Sequence, residues 1–166
     1  MGLVLKKGIV LGVFVLMIAS HSVTAQQAET VKLKRIQDKI ATSSERIQVI
    51  NFWATWCAPC VKEIPLFENL TTTRKDVEVT LVSIDLDLDP NPEKVYRFMN
   101  RKKLQSTVWI LDEKDPNSWI DKIDKSWSGA IPATLFVNTR TGQRKFVERQ
   151  LEDGDLERLI EELKTK

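Results

Sequence analysis

The chain holds two cysteines, Cys57 and Cys60, in the stretch "NFWATWCAPC" that runs from residue 51 to residue 60. A pair at this spacing has three uses. It can exchange with another disulfide: one thiolate attacks, and the second thiol releases the product from the mixed disulfide. It can staple the chain, although so short a loop removes little unfolded-state entropy. It can clip a metal, although zinc takes about four ligands, and two cysteines without a histidine fall short unless two chains share the ion. The setting favours exchange. Cys57 sits between the apolar run "IQVINFWA" (47–54), which predicts a strand, and a helical pattern that starts at Ala58. The first N–H groups of a helix are unpaired and carry positive partial charge. They favour a thiolate, and can bring a cysteine pKa from about 8.5 toward roughly 7 or below. Cys60 falls one turn later on the same face, and Pro59 suits a first helical turn, where its missing N–H costs little.

The elements that must position this pair read as follows. "VKLKRIQDKI" (31–40) spaces Val31, Leu33, Ile36 and Ile40 for a short amphipathic helix behind a polar leader at 26–30. Residues 47–54 fit a strand covered on both faces. "APCVKEIPLFENLTTT" predicts a helix with Val61, Ile64, Leu66, Phe67 and Leu70 on its stripe and a kink at Pro65. "VEVTLVSIDLDL" (77–88) predicts a strand, "DPNPEKVYRFMNRKK" a helix, and "STVWILD" (106–112) a third strand. "PNSWIDKID" predicts a short helix with Trp119, Ile120 and Ile123 inward. Residues 133–138 and 143–150 predict a hairpin with Gly142 at a positive-φ position. A last helix starts at 153–155 and lines up Leu156, Leu159, Ile160 and Leu163. The order predicts an α/β domain: a central mixed sheet with helices on both faces.

The N-terminus is of another kind. Lys6 and Lys7 precede an apolar stretch from Ile9 to Ala19, and Val23, Thr24 and Ala25 follow. That is the layout of a cleaved signal peptide over 1–25; the apolar run is too short for a span, which needs roughly 20 residues. Losing Lys6 and Lys7 brings the 25 basic residues to 23, equal to the 23 acidic ones. A neutral domain gives no argument for nucleic-acid binding. The one histidine, His21, goes with the signal, so the mature chain has no imidazole base.

"FWATWCAPC", with "GAIPAT" some 70 residues later, resembles the thioredoxin superfamily, and more narrowly its exported TlpA/ResA-like thiol–disulfide oxidoreductases. The resemblance runs from about Arg46 to the end, which sets a leader and short helix at 26–45 before a thioredoxin-like domain at 46–166. It implies a thioredoxin fold, with residues 89–112 matching the helix–strand segment that this branch inserts. It implies that Cys57 is the exposed nucleophile and Cys60 the buried resolving thiol. Pro132 matches the family's cis-proline facing the disulfide, and an X–Pro bond is where the cis form costs little. Ile131 would then turn its backbone outward to pair with an extended substrate. Trp56 is the expected substrate-facing ring, with Ala58 and Pro59 beside it. Trp53 and the other tryptophans are expected in the core, Trp127 near the Pro132 loop.

Many thioredoxins carry a buried acid six residues before the first cysteine; this chain has Asn51 there, which cannot take a proton. Glu63, three residues after Cys60, lies on the adjacent helical turn, and the resemblance links a glutamate there to cysteine acidity. Burial would raise its pKa toward neutrality and suit it to proton exchange. The absence of a histidine between the cysteines leans toward reduction rather than oxidation. The expected protein is a monomer of the periplasm or another extracytoplasmic space and needs no cofactor or metal. It would act on disulfide-containing exported proteins, such as those of cytochrome c maturation, and draw electrons from a membrane thiol donor. Two other readings stay open: a redox-independent binding or assembly module on the same fold, and a thiol peroxidase.

Overall fold

The computed structural model describes residues 28–164, so the expected signal peptide at 1–25 lies outside the described residues. Among the described residues six strands, β1 (Glu29–Val31), β2 (Ile47–Trp53), β3 (Val77–Ser83), β4 (Thr107–Leu111), β5 (Ala133–Asn138) and β6 (Gln143–Val147), form one sheet in the order β1-β4-β3-β2-β5-β6. The central strand β2 (Ile47–Trp53) is buried at all seven positions, so both faces of the sheet's middle are covered. That explains its loose alternation: a strand without a wet face has no reason to alternate. Parallel to it runs β3 (Val77–Ser83), from Ile47 opposite Val77 to Trp53 opposite Ser83. Antiparallel on its other side runs β5 (Ala133–Asn138). β5 turns into β6 (Gln143–Val147), and Gly142 takes a φ of 74° in that turn, the left-handed conformation that favours glycine.

The helices follow their apolar periods. α1 (Leu33–Ala41) buries Leu33 and Ile36. α2 (Ala58–Thr73) runs on through Pro65 and buries Cys60, Glu63, Ile64, Phe67 and Leu70. Its stripe is therefore turned toward Glu63, and Val61 and Leu66, expected on it, are only half-buried. α3 (Glu93–Lys102) and β4 (Thr107–Leu111) occupy the segment read as an insertion. The "PNSWIDKID" stretch splits into a 3-10 turn at Pro116–Ser118 and the short α4 (Ile120–Ile123), with Trp119 and Ile123 buried and Ile120 half-buried. α5 (Asp155–Glu162) buries Leu156, Leu159 and Ile160, and Leu163 just beyond it is buried too.

Two expectations need correction. The polar leader contains β1 (Glu29–Val31), an edge strand parallel to β4 with Val31 opposite Leu111. Val31 thus belongs to a strand rather than to the helix. The run at 77–88 is also shorter than its pattern: β3 stops at Ser83, and Asp85–Asp87 form a 3-10 turn. Asp85 opens this turn, its buried carboxylate accepting from the Ser83 hydroxyl at 2.8 Å while its own N–H donates to the same hydroxyl at 3.1 Å.

Candidate active site

β2 ends at Trp53, and the next turn closes with the Cys57 N–H donating to the Ala54 carbonyl at 3.1 Å. Cys57 is the N-cap of α2, with extended backbone at φ −86° and ψ 100°. Its sulfur accepts the Cys60 N–H at 3.3 Å, in the position that a cap oxygen normally fills. Negative charge on this sulfur would meet the positive end of a sixteen-residue helix. Cys57 and Cys60 form a disulfide of 2.02 Å. The turn before them is held by Asp85, which accepts from the Thr55 N–H at 2.9 Å and from the Thr55 hydroxyl at 2.5 Å.

Cys60 is fully buried, and Cys57 is only 5% exposed. The expectation of an exposed Cys57 needs this qualification: in the disulfide form the sulfur is covered by Cys60 and by the Ile131 backbone, whose carbonyl oxygen lies 3.8 Å away. Accessible surface is supplied by its neighbours. Trp56 is 53% exposed, and Ala58 and Pro59 are exposed as well. Trp53 points the other way, into the core against Phe98. The Ile131–Pro132 peptide is cis. Pro132 is buried and Ile131 half-buried, and Ile131 precedes the β2–β5 ladder, whose register begins at the pair Phe52 and Ala133.

Glu63 is 1% exposed, which excludes a solvated helix glutamate. One carboxylate oxygen accepts the Asn51 amide N–H at 2.8 Å, and the other accepts the Leu151 N–H at 2.6 Å. Burial lifts its pKa from 4.5 to about 7, against the opposing pull of the Leu151 and Asn51 donors and of the Arg149 charge. Asn51 is fully buried and also donates to the Thr134 hydroxyl at 3.0 Å. The position where an acid was missed and the acid proposed in its place are therefore in contact. An amide carries both donors and an acceptor, so Asn51 can hold a carboxyl group that gains and loses a proton.

A third group was not foreseen. Glu148, just past β6, accepts from the N–H groups of Ser128 and Ala130 and from the Ser128 hydroxyl. The sequence pattern places it in a hairpin strand over 143–150. A glutamate on an amphipathic strand reads as solvated, and its partners lie some 20 residues back, where no periodicity connects them. Of the residues expected from the sequence, the structure brings Cys57, Cys60, Ile131 and Pro132 to one place. Trp56, Ala58 and Pro59 lie on the open side, and Glu63 lies inside, one turn beyond Cys60.

The family model described as Redoxin matches residues 22–140, most of the chain. The chain is similar to the thiol–disulfide oxidoreductase ResA of Oceanobacillus iheyensis, with 28% identity over 113 residues, 64% of this chain and 55% of the relative. It spans about half the length of the curated relatives it matches. Among solved structures, a thioredoxin-related protein of Neisseria meningitidis serogroup B superimposes with a TM-score of 0.65 at 18% identity, covering 75% of this chain and 90% of that one. A secreted disulfide oxidoreductase of Mycobacterium tuberculosis does so with a TM-score of 0.53 at 18% identity, covering 74% and 84%. These neighbours establish the thioredoxin fold.

Proposed function

The chain belongs to the Redoxin family, and from that premise we propose that it is a thiol–disulfide oxidoreductase that reduces disulfides in exported proteins. The observation that carries the reading is the cysteine pair itself. Cys57 caps α2 with its sulfur on the Cys60 N–H, and the Ile131 carbonyl faces it across 3.8 Å.

In the reduced protein the Cys57 thiolate attacks one sulfur of the substrate disulfide. That bond breaks, the second substrate sulfur leaves as a thiolate, and Cys57 is joined to the substrate. Cys60 then loses its proton and attacks the Cys57 sulfur. The substrate leaves as a dithiol, and the Cys57–Cys60 disulfide remains. Two electrons have passed to the substrate, whose two thiolates take one proton by way of Glu63, from Cys60, and one from water; a thiol donor restores the pair by the reverse exchange. Glu63 is the group assigned to take the Cys60 proton. It lies one turn away, and a pKa of about 7 lets it accept and return a proton near neutrality. Trp56, Ala58 and Pro59 form the rim that a substrate would touch, and the Ile131 backbone beside Pro132 offers it an edge to pair with.

An extracytoplasmic site of action is supported by the signal-like N-terminus and by the secreted neighbour of the same fold. The donor in this reading is a membrane thiol carrier, and the substrates include envelope proteins of the apocytochrome c kind. The test is insulin reduction by dithiothreitol. A catalytic amount of wild type should speed it well above the uncatalysed rate, and Cys57→Ser should return it to that rate. A wild type no faster than buffer would sink the reading.

A further inference from the structure

The backbone that leads to the disulfide-facing Ile131 is held by a side chain from just beyond β6. Glu148 accepts from the Ser128 N–H at 3.1 and 3.2 Å, from the Ser128 hydroxyl, and from the Ala130 N–H at 3.0 Å. These donors lie on both sides of Gly129, whose φ is 96°. A Cβ at Gly129 would stand 3.0 Å from the Ile120 Cδ1, the far end of a side chain that need shift only slightly; it is the positive φ that favours glycine there. Burial pushes the Glu148 pKa up, but the Ser128 and Ala130 donors outweigh it and hold the group below its ordinary value. It stays an anion, and an anionic acceptor binds its donors more strongly than a neutral one.

One further bond sets the next peptide. The Trp127 indole N–H donates to the Ala130 carbonyl at 2.8 Å. The peptide unit is planar, so fixing this carbonyl also fixes the Ile131 N–H, which points the opposite way. The Ile131 carbonyl in turn lies 3.8 Å from the Cys57 sulfur. Glu148 and Trp127 together thus hold the peptide that presents the Ile131 N–H, one residue before the carbonyl that faces the disulfide.

We propose that Glu148 is a positioning residue for protein substrates: it holds the 128–131 backbone in the shape that pairs with an extended substrate segment while that segment's disulfide meets Cys57. The inference rests on the exchange reaction proposed above. The step served is the first one, in which the Cys57–substrate bond forms, the substrate disulfide breaks and one substrate thiolate leaves. A small disulfide without a peptide backbone has no strand to pair, so it needs Cys57 but not the edge.

The test compares insulin with hydroxyethyl disulfide, using pre-reduced protein in single-turnover reactions. Glu148→Ala should raise the half-saturating insulin concentration about tenfold while leaving the rate toward hydroxyethyl disulfide within about twofold. Glu148→Gln keeps an acceptor oxygen at the same reach and should recover part of the loss. Faster hydrogen exchange at the Ser128 and Ala130 amides should accompany the Ala variant. An unchanged insulin reaction, or an equal loss toward both disulfides, would overturn the proposal. If Glu148→Ala fails to fold, Glu148→Gln and Ser128→Ala each remove part of the same set, and an unchanged insulin-to-small-disulfide ratio in both overturns it equally. A wild type inert toward both disulfides overturns the proposed function, and this inference with it. A fully active wild type with unaltered Glu148 variants overturns this inference alone.

Discussion

Two glutamates flank the cysteine pair and respond to the fold in opposite directions. Glu63 and Glu148 both accept backbone N–H groups, from Leu151 in one case and from Ser128 and Ala130 in the other. Yet Glu63 is raised to about 7, while Glu148 is held below its ordinary value. The difference is the balance between water lost and donors gained. Glu63 lies on the buried stripe of α2, and two donors do not repay its burial. Glu148 is half-buried and collects the donors of a whole turn. One carboxyl group is left able to move a proton; the other is held toward its anionic form and shapes backbone.

The comparison breaks most visibly at Glu63. Glu63→Gln keeps the shape and removes the proton acceptor, so disulfide reduction near neutral pH should slow by about a hundredfold. The pH profile of Cys57 alkylation should shift as well. An unaltered rate and profile would leave Glu63 a packing residue. Glu148→Ala should act more weakly, and only on protein substrates.

Stability sharpens the contrast. Below pH 4.5 Glu63 is protonated in both the folded and the unfolded chain. Between 4.5 and about 7 the folded chain alone keeps the proton, so each rise in pH costs stability. Above that window both states are ionised, and the loss, up to about 3 kcal/mol, is complete. Urea unfolding of the oxidised protein should show this decline in the wild type and not in Glu63→Gln. A decline of the same size in both would contradict the assignment.

Asp85 offers the smallest effect and a control. Its carboxylate is buried, as that of Glu63 is, but its donors are Thr55 and Ser83. Asp85→Asn should cost about 1–2 kcal/mol of stability and leave the alkylation profile of Cys57 in place. A profile that moves as far as it does in Glu63→Gln would remove the distinction between the two acids.

What the sequence made legible followed local pattern. β2 was visible as a β-branched and aromatic run, the hairpin by its turn at Gly142, and the apolar stripe of α5 because a 3.6-residue period is written into neighbouring residues. The cysteine pair was legible because its meaning lies in its place between a strand and a helix. β1 was not, since three residues with only Val31 buried carry no period, and their partner is some 80 residues away. Residues 84–88 kept the alternation of a strand, and only the side-chain bonds of Asp85 mark where they turn. Glu63 stood between the two cases. Its spacing from Cys60 put it on the right face, but its contacts with Asn51 and Leu151 depend on how α2 packs on the sheet. Glu148 was hidden for the same reason: its donors belong to another loop.

The central claim is that Cys57 attacks and Cys60 resolves. Incubating Cys60→Ala and Cys57→Ala, each pre-reduced, with a disulfide-bonded protein and weighing the products by mass spectrometry tests it directly. The account predicts a stable mixed disulfide through Cys57 in Cys60→Ala and little or none through the buried Cys60 in Cys57→Ala. Equal adducts in the two variants, or an adduct through Cys60 alone, would contradict it.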